Sequence, residues 1–258
     1  MQLTSTKNPR VQTIRRAAAM GRPTEDGLVV IEGPHLLEEA LRGEWRIEQI
    51  FATAAARGHY SDLLQQAGAE LVELSPRAFA AAAATETPQE VMAVVRPRIW
   101  SWKELTGAAA LIVILDGIQD PGNAGTIVRS AEAFGATGVV FLKGCVRVSN
   151  GKLLRASAGS MFRVPFLEGL AVAELIEHAR RGAVTIYALS SGATLEIAEA
   201  NLGSACALAV GSEAFGLSEE LQRVAQRVSI PTEKVESLNA AIACSIALYQ
   251  ASRARNSQ

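Results

Sequence analysis

Beyond residue 107 the chain alternates between short apolar runs and helix-patterned segments, and this alternation limits the folds open to it more than any other feature. The runs occupy residues 111–115, 138–142, 184–189, 206–210 and 228–230. Strands separated by helical crossovers pair in parallel, so the expected class is α/β, with a mostly parallel sheet covered by helices on both faces. Open sheets of this kind gather ligands at the carboxyl ends of their strands. The loops that follow the apolar runs are therefore where chemistry is expected.

The first hundred residues read as a smaller α/β unit. Residues 9–20 place Val11, Ile14 and Ala18 at helical spacing with basic residues opposite, and 28–31, 47–52, 70–74 and 91–95 read as strands. Between them, 34–41, 61–67 and 76–84 read as helices. Pro97, Trp100 and Trp102 then break the periodicity. A chain of 258 residues with 49% hydrophobic content lies near the size at which single cores divide. Two domains are expected, 1–98 and 108–258, joined by a linker at 99–107.

A formal net charge of −1 argues against a uniformly basic surface, so any nucleic-acid site must be local. Two runs qualify. Lys7, Arg10, Arg15, Arg16 and Arg22 precede the first acidic residue, Glu25, and Lys143, Arg147, Lys152, Arg155 and Arg163 lie between Glu132 and Glu168. Both could meet phosphate, and the plainer reading of each is a solvated surface, a reading that fits the first run better than the second. Cys145, Cys206 and Cys244 are far apart and lack metal-ligand spacing, so neither a disulfide framework nor a metal site is expected. There is no apolar leader, and the apolar stretches are too short to cross a bilayer, which makes cytoplasm the expected location.

Three strand-end loops carry unusual polar content. The first is Asp120-Pro121-Gly122-Asn123-Ala124-Gly125, which opens a helix bearing Arg129. The second is Gly211-Ser212-Glu213-Ala214-Phe215-Gly216, and the third runs from Ile230-Pro231 to Ser237-Leu238-Asn239 at the start of the last helix. Neither a Gly-x-Gly-x-x-Gly after the first strand nor a Walker-type Gly-Lys-Ser/Thr loop is present. Taken singly, Asn123 and Ser237 fit helix N-caps and Glu213 fits a solvated carboxylate as well as they fit ligand contacts.

As a set, the loops resemble the SpoU-type, or TrmH-like, RNA ribose 2′-O-methyltransferases of the SPOUT superfamily. The first motif of that family reads here as Asp120, Pro121, Asn123, Gly125 and Arg129; the second as Gly211, Ser212, Glu213 and Gly216; the third as Ile230, Pro231, Ser237, Leu238 and Asn239. The resemblance spans about 111–255. Thr232 stands where Met is usual and Ala240 where Val is common. Asn8-Pro9, the basic helix and the strand at 29–33 resemble the small ribosomal-protein-like RNA-binding module that precedes many members.

The resemblance implies a trefoil-knotted catalytic domain with S-adenosylmethionine as methyl donor, held by Leu189, Gly211, Ile230, Leu238 and Asn239. It implies catalytic roles for Arg129, Asn123, Glu213, Ser237 and Asn239. Arg129 would grip the phosphate beside the acceptor, and Asn123 would orient Arg129 or the ribose. The histidines His35, His59 and His178 fall outside the three loops. RNA contacts are implied for Lys7, Arg10, Arg15 and Arg16 in front and for Arg147, Lys152 and Arg155 in the second domain. The implied substrate is ribosomal RNA, with transfer RNA and a non-catalytic RNA-binding or ribosome-assembly role as alternatives. Members form homodimers through the last helix, and the small residues between Leu238, Ile242, Ile246 and Tyr249 would admit a second helix closely.

Overall fold

The computed structural model describes residues 2–107 and 109–256. Ala108, where the second domain is expected to begin, and residues 257–258 at its expected end lie outside the described residues. Two α/β units build the chain, Met1–Ile99 with Arg147–Arg163, and Trp100–Val146 with Val164–Gln258.

In the first unit the elements are β1 (Gln2–Leu3), α1 (Pro9–Met20), β2 (Val29–Glu32), α2 (Pro34–Arg42), β3 (Arg46–Ala52), α3 (Ala54–His59), α4 (Ser61–Ala67), β4 (Glu70–Leu74), α5 (Pro76–Ala82) and β5 (Val91–Arg96). The sheet order is β1-β4-β3-β5-β2, parallel from β1 to β3 and antiparallel at β5 and β2. Helix α1 starts where the Asn8 side chain accepts from the Arg10 amide with Pro9 at the first helical position, and it stops at Gly21, whose φ of +57° favours glycine. Its buried face is Val11, Ile14 and Ala17.

The second unit contains α6 (Trp102–Leu105), β6 (Leu111–Asp116), α7 (Pro121–Ala133) and β7 (Gly138–Leu142). After an excursion through α8 (Gly151–Ala156) it continues with β8 (Phe166–Leu170), α9 (Val172–Arg181), β9 (Thr185–Leu189), β10 (Leu195–Glu196), β11 (Cys206–Gly211), α10 (Glu219–Val224), β12 (Gln226–Ser229) and α11 (Ala240–Asn256). Its sheet is parallel throughout, in the order β10-β12-β9-β11-β6-β7-β8. From β6 the chain steps outward to β7 and β8, then crosses to β9 and returns to insert β11 beside β6. That reversal is a topological switch point, and it puts the loops after β6, β9, β11 and β12 at one end of neighbouring strands.

Several elements depart from expectation. The linker at 99–107 holds a helix, because Ser101 and Glu104 form a capping box and Leu105 is fully buried against Gly138. The strand at 166–170 has no apolar alternation to announce it, since Glu168 and Gly169 are exposed on this sheet edge. Residues 147–163, expected in the second domain, belong to the first unit because Phe162 packs edge-on to Trp45 at 4.9 Å and the Glu44 amide donates to the Phe162 carbonyl at 3.0 Å. Ser149 Oγ also donates to the Gly21 carbonyl at 2.8 Å. In the same unit Glu39 is 5% exposed and pairs with Arg163 and Arg42. Burial alone would raise its carboxyl pKa, but the Arg163 hydrogen bond and charge outweigh this and hold it below the usual range.

The last helix begins at Ala240, not Ser237, because Asn239 Oδ1 caps it by accepting from the Ala241 and Ile242 amides at 2.9 and 3.3 Å. Its small face is also used differently. Ala240, Ala241, Cys244, Ala247 and Ala251 are buried inside the chain, where α11 packs on α7 and β11, whereas Ile242 and Tyr249 are about half exposed. Small residues let α11 approach α7 until Ser130 Oγ and Ser245 Oγ share a hydrogen bond at 2.7 Å. Among the described residues, no helix is long and apolar enough to cross a membrane.

Candidate active site

Local hydrogen bonds fix each of the three loops. Strand β6 ends at Asp116, and Asp120 then caps α7 by accepting the Asn123 amide at 2.7 Å, with Pro121 at the first helical position. After β11 the chain folds back sharply. The Ser212 amide donates to the Gly216 carbonyl at 3.1 Å, and the Gly216 amide donates to the Ser212 carbonyl at 2.8 Å. Ser212 Oγ accepts the Phe215 amide at 3.2 Å, and Asp116 Oδ2 accepts the Ser218 amide at 2.7 Å. A Cβ on Gly211 would overlap the Gly216 carbonyl and the Leu217 amide nitrogen, so the bend requires glycine there. In the third loop Thr232 Oγ1 donates to the Val235 carbonyl at 2.7 Å.

These bends meet in one cluster. Asn239 Nδ2 donates to Glu213 Oε1 at 2.6 Å and to Asn123 Oδ1 at 3.1 Å, and Asn123 Nδ2 donates to the same Glu213 oxygen at 3.2 Å. One residue from each loop therefore contributes, and Asn239 serves twice, capping α11 with its oxygen and bridging the loops with its nitrogen. Glu213 pairs with two amides. The Asn123 side chain is engaged by Glu213 and Asn239.

Two clefts flank the Glu213 loop. One, of about 530 Å³, is bounded by Leu189, Gly211, Ile230, Ser237 and Leu238 at the ends of β9, β11 and β12. The sequence-derived donor residues are thus brought together, with Asn239 beside them through Glu213. Ser190 and Arg227 also line it, joined by a 2.9 Å hydrogen bond, and no motif marks either in the sequence. The other cleft, of about 590 Å³, lies between the Asp116–Asp120 turn and the Glu213 loop.

Arg129 is exposed on α7, lines neither cleft and makes no hydrogen bond or ion pair among the described residues. Lys7, Arg10, Arg15 and Arg16 are exposed in the first unit, with Arg10 3.8 Å from Glu70. Arg147, Lys152 and Arg155 are exposed in that unit too.

Alternative nucleophiles are silent. Burial pushes the Cys145 thiol up to about 11 and the Cys244 thiol up to about 12, so both stay protonated at neutral pH. His178 stacks on Trp102, His59 lies edge-on to Tyr60, and no histidine lines either cleft.

Comparison with known proteins agrees with this geometry. Residues 110–249 match the SpoU rRNA Methylase family, and residues 8–93 match the MRM3-like substrate binding domain. The chain is 32% identical to the 23S rRNA (guanosine(2553)-2′-O)-methyltransferase RlmP of Bacillus subtilis, over 96% of this chain and 98% of that one. Among solved structures, it resembles the SpoU methyltransferase AviRb from Streptomyces viridochromogenes in complex with AdoMet at a TM-score of 0.87 and 26% identity, covering 97% of this chain and 99% of that one. An AdoMet-bound rRNA methyltransferase from Sinorhizobium meliloti gives a TM-score of 0.85 at 26% identity, covering 98% and 97% of the two chains.

Proposed function

Because the chain belongs to the SpoU rRNA methylase family, we propose that it transfers a methyl group from S-adenosylmethionine to a ribose 2′-hydroxyl of ribosomal RNA, within the large-subunit RNA for which its Bacillus subtilis relative is named. The observation that carries this reading is the convergence of Asn123, Glu213 and Asn239 between two clefts. The fit to the donor rests on the cleft at the ends of β9, β11 and β12, which Leu189, Gly211, Ile230 and Leu238 line together.

When bound, S-adenosylmethionine supplies a methyl group already activated by its sulfonium. The residues of this chain must bind, orient and assist the acceptor. A ribose hydroxyl is a weak nucleophile; its oxygen would form the new C–O bond as the methyl–sulfur bond breaks, leaving a neutral thioether, and its proton would depart to phosphate or water. Arg129 is always protonated, so it serves as a cation, not a base. With no internal partner among the described residues, its guanidinium is open to the phosphate next to the acceptor, where it would stabilise developing alkoxide charge. Asn123, Glu213 and Asn239 lock the loops that shape both clefts, and Ser237 completes the polar wall.

The first unit would select the RNA. Residues 1–98 would serve as the substrate-binding domain and 108–258 as the catalytic domain, with Arg147, Lys152 and Arg155, which fold with the first unit, adding to its basic residues. The logarithm of the affinity for RNA is expected to fall linearly with log salt, and Arg15→Ala with Arg16→Ala to reduce the slope by about 1.4, at about 0.7 per single-strand phosphate contact. Filter binding over a salt series measures this, and an unchanged slope excludes the helix from the interface.

A trefoil knot formed by the 230–239 segment and a homodimer through the exposed Ile242 and Tyr249 face of α11 complete the proposal. So does a cytoplasmic site of action, where ribosomal RNA is made. The non-catalytic reading differs in one cheap measurement. Calorimetric titration with S-adenosylmethionine is expected to give saturable binding at one site per chain, and no heat under conditions that leave the protein folded would favour a non-catalytic RNA-binding role.

A further inference from the structure

Phe215 is 91% exposed, whereas the other six phenylalanines are buried or half-buried. It does not dangle. Its amide is held by Ser212 Oγ, the Ser212–Gly216 pair closes the bend around it, and Asp116 anchors the exit at Ser218. A bare ring on a pinned bend is presented outward by the fold.

The ring stands at the wall of the cleft between the Asp116–Asp120 turn and the Glu213 loop. Asp116, Asp120, Glu213 and Glu219 line that cleft, and among the described residues no lysine or arginine does. Four carboxylates repel phosphate, so this wall does not receive the RNA backbone. They tolerate a neutral ring whose edge offers N–H donors. The cleft also shares Ser212, Glu213, Gly216 and Leu217 with the donor cleft, so an occupant would lie against the reaction centre.

We propose that Phe215 stacks on an unpaired nucleobase of the RNA, at or next to the acceptor nucleotide, and so positions the ribose beside the Glu213 loop. This rests on the methyltransferase reading above. Bases splayed from the helix stack on aromatic side chains in single-stranded RNA recognition, and removing such a ring weakens binding.

The test is steady-state methyl transfer from labelled S-adenosylmethionine to unmodified 23S ribosomal RNA transcript, comparing the natural protein with Phe215→Ala, Phe215→Leu and Phe215→Trp. Phe215→Ala is expected to raise KM for RNA about tenfold, equivalent to about 1.4 kcal/mol, with kcat and donor affinity within about twofold. Phe215→Trp should restore KM, and Phe215→Leu, apolar but not aromatic, should not. An unchanged KM in Phe215→Ala, or full rescue by leucine, overturns stacking while leaving the functional reading intact. Loss of donor binding in Phe215→Ala would make the ring a support of the loop and also overturn it. So would a change in mass by light scattering, which would assign the ring to a contact between copies. If the natural protein transfers no methyl group to this RNA, the functional reading and the stacking proposal fall together.

Discussion

Arg129→Ala is expected to lower kcat for methyl transfer by about a hundredfold or more while leaving S-adenosylmethionine binding nearly intact. Removing one preorganised charge aimed at a developing oxyanion costs on this scale. The structural basis is specific. Arg129 is exposed on α7 and makes no hydrogen bond or ion pair among the described residues, so deleting it breaks none. Fold stability should therefore be unchanged, and the loss should appear in turnover alone. Single-turnover kinetics on ribosomal RNA, paired with calorimetry for the donor, measure both quantities. Near-normal turnover in the alanine variant would remove Arg129 from the mechanism.

Gly211→Ala is expected to have the opposite signature. The added Cβ overlaps backbone atoms of Gly216 and Leu217, which cannot swing aside as a flexible side chain could. The bend must open, moving Ser212 and Glu213 and breaking the cluster with Asn123 and Asn239. Donor binding should become undetectable by calorimetry at concentrations that saturate the natural protein. Stability should fall by about 1–3 kcal/mol, the usual cost of overpacking, measured by urea denaturation. An alanine variant that binds the donor normally would show that the tight return of the chain at Gly211 is not needed to shape the donor cleft.

The contrast between these substitutions reflects what a sequence carries. The three loops were legible because each compresses its chemistry into a few neighbouring positions, and Gly211, Ser212 and Glu213 keep their meaning wherever the loop sits. The alternation of apolar runs from Leu111 onward likewise announced a parallel sheet. Only the fold reveals that β11 returns to lie beside β6, the step that brings Asn123, Glu213 and Asn239 within hydrogen-bond reach.

Other features depend on partners distant in sequence and left no local mark. Residues 147–163 join the first unit through Phe162 on Trp45 and Ser149 on Gly21, pairings more than a hundred residues apart. Ser237 fitted a helix N-cap in the sequence, and the geometry gives that role to the Asn239 oxygen instead. The small residues of α11 suggested a partner helix, and they have one within the chain, in α7. Phe215 sits in a motif loop where nothing in the sequence distinguishes a buried ring from an exposed one.

The central claim is that one site, built from three loops, methylates a ribose. It is tested most directly by incubating the purified protein with S-adenosylmethionine and ribosomal RNA from a strain lacking it, then mapping alkali-resistant riboses along the RNA. The account predicts one new 2′-O-methylated nucleotide in the large-subunit RNA, absent when Arg129→Ala is used. Methyl transfer to a base, or no transfer by a folded protein that binds the RNA, would contradict it.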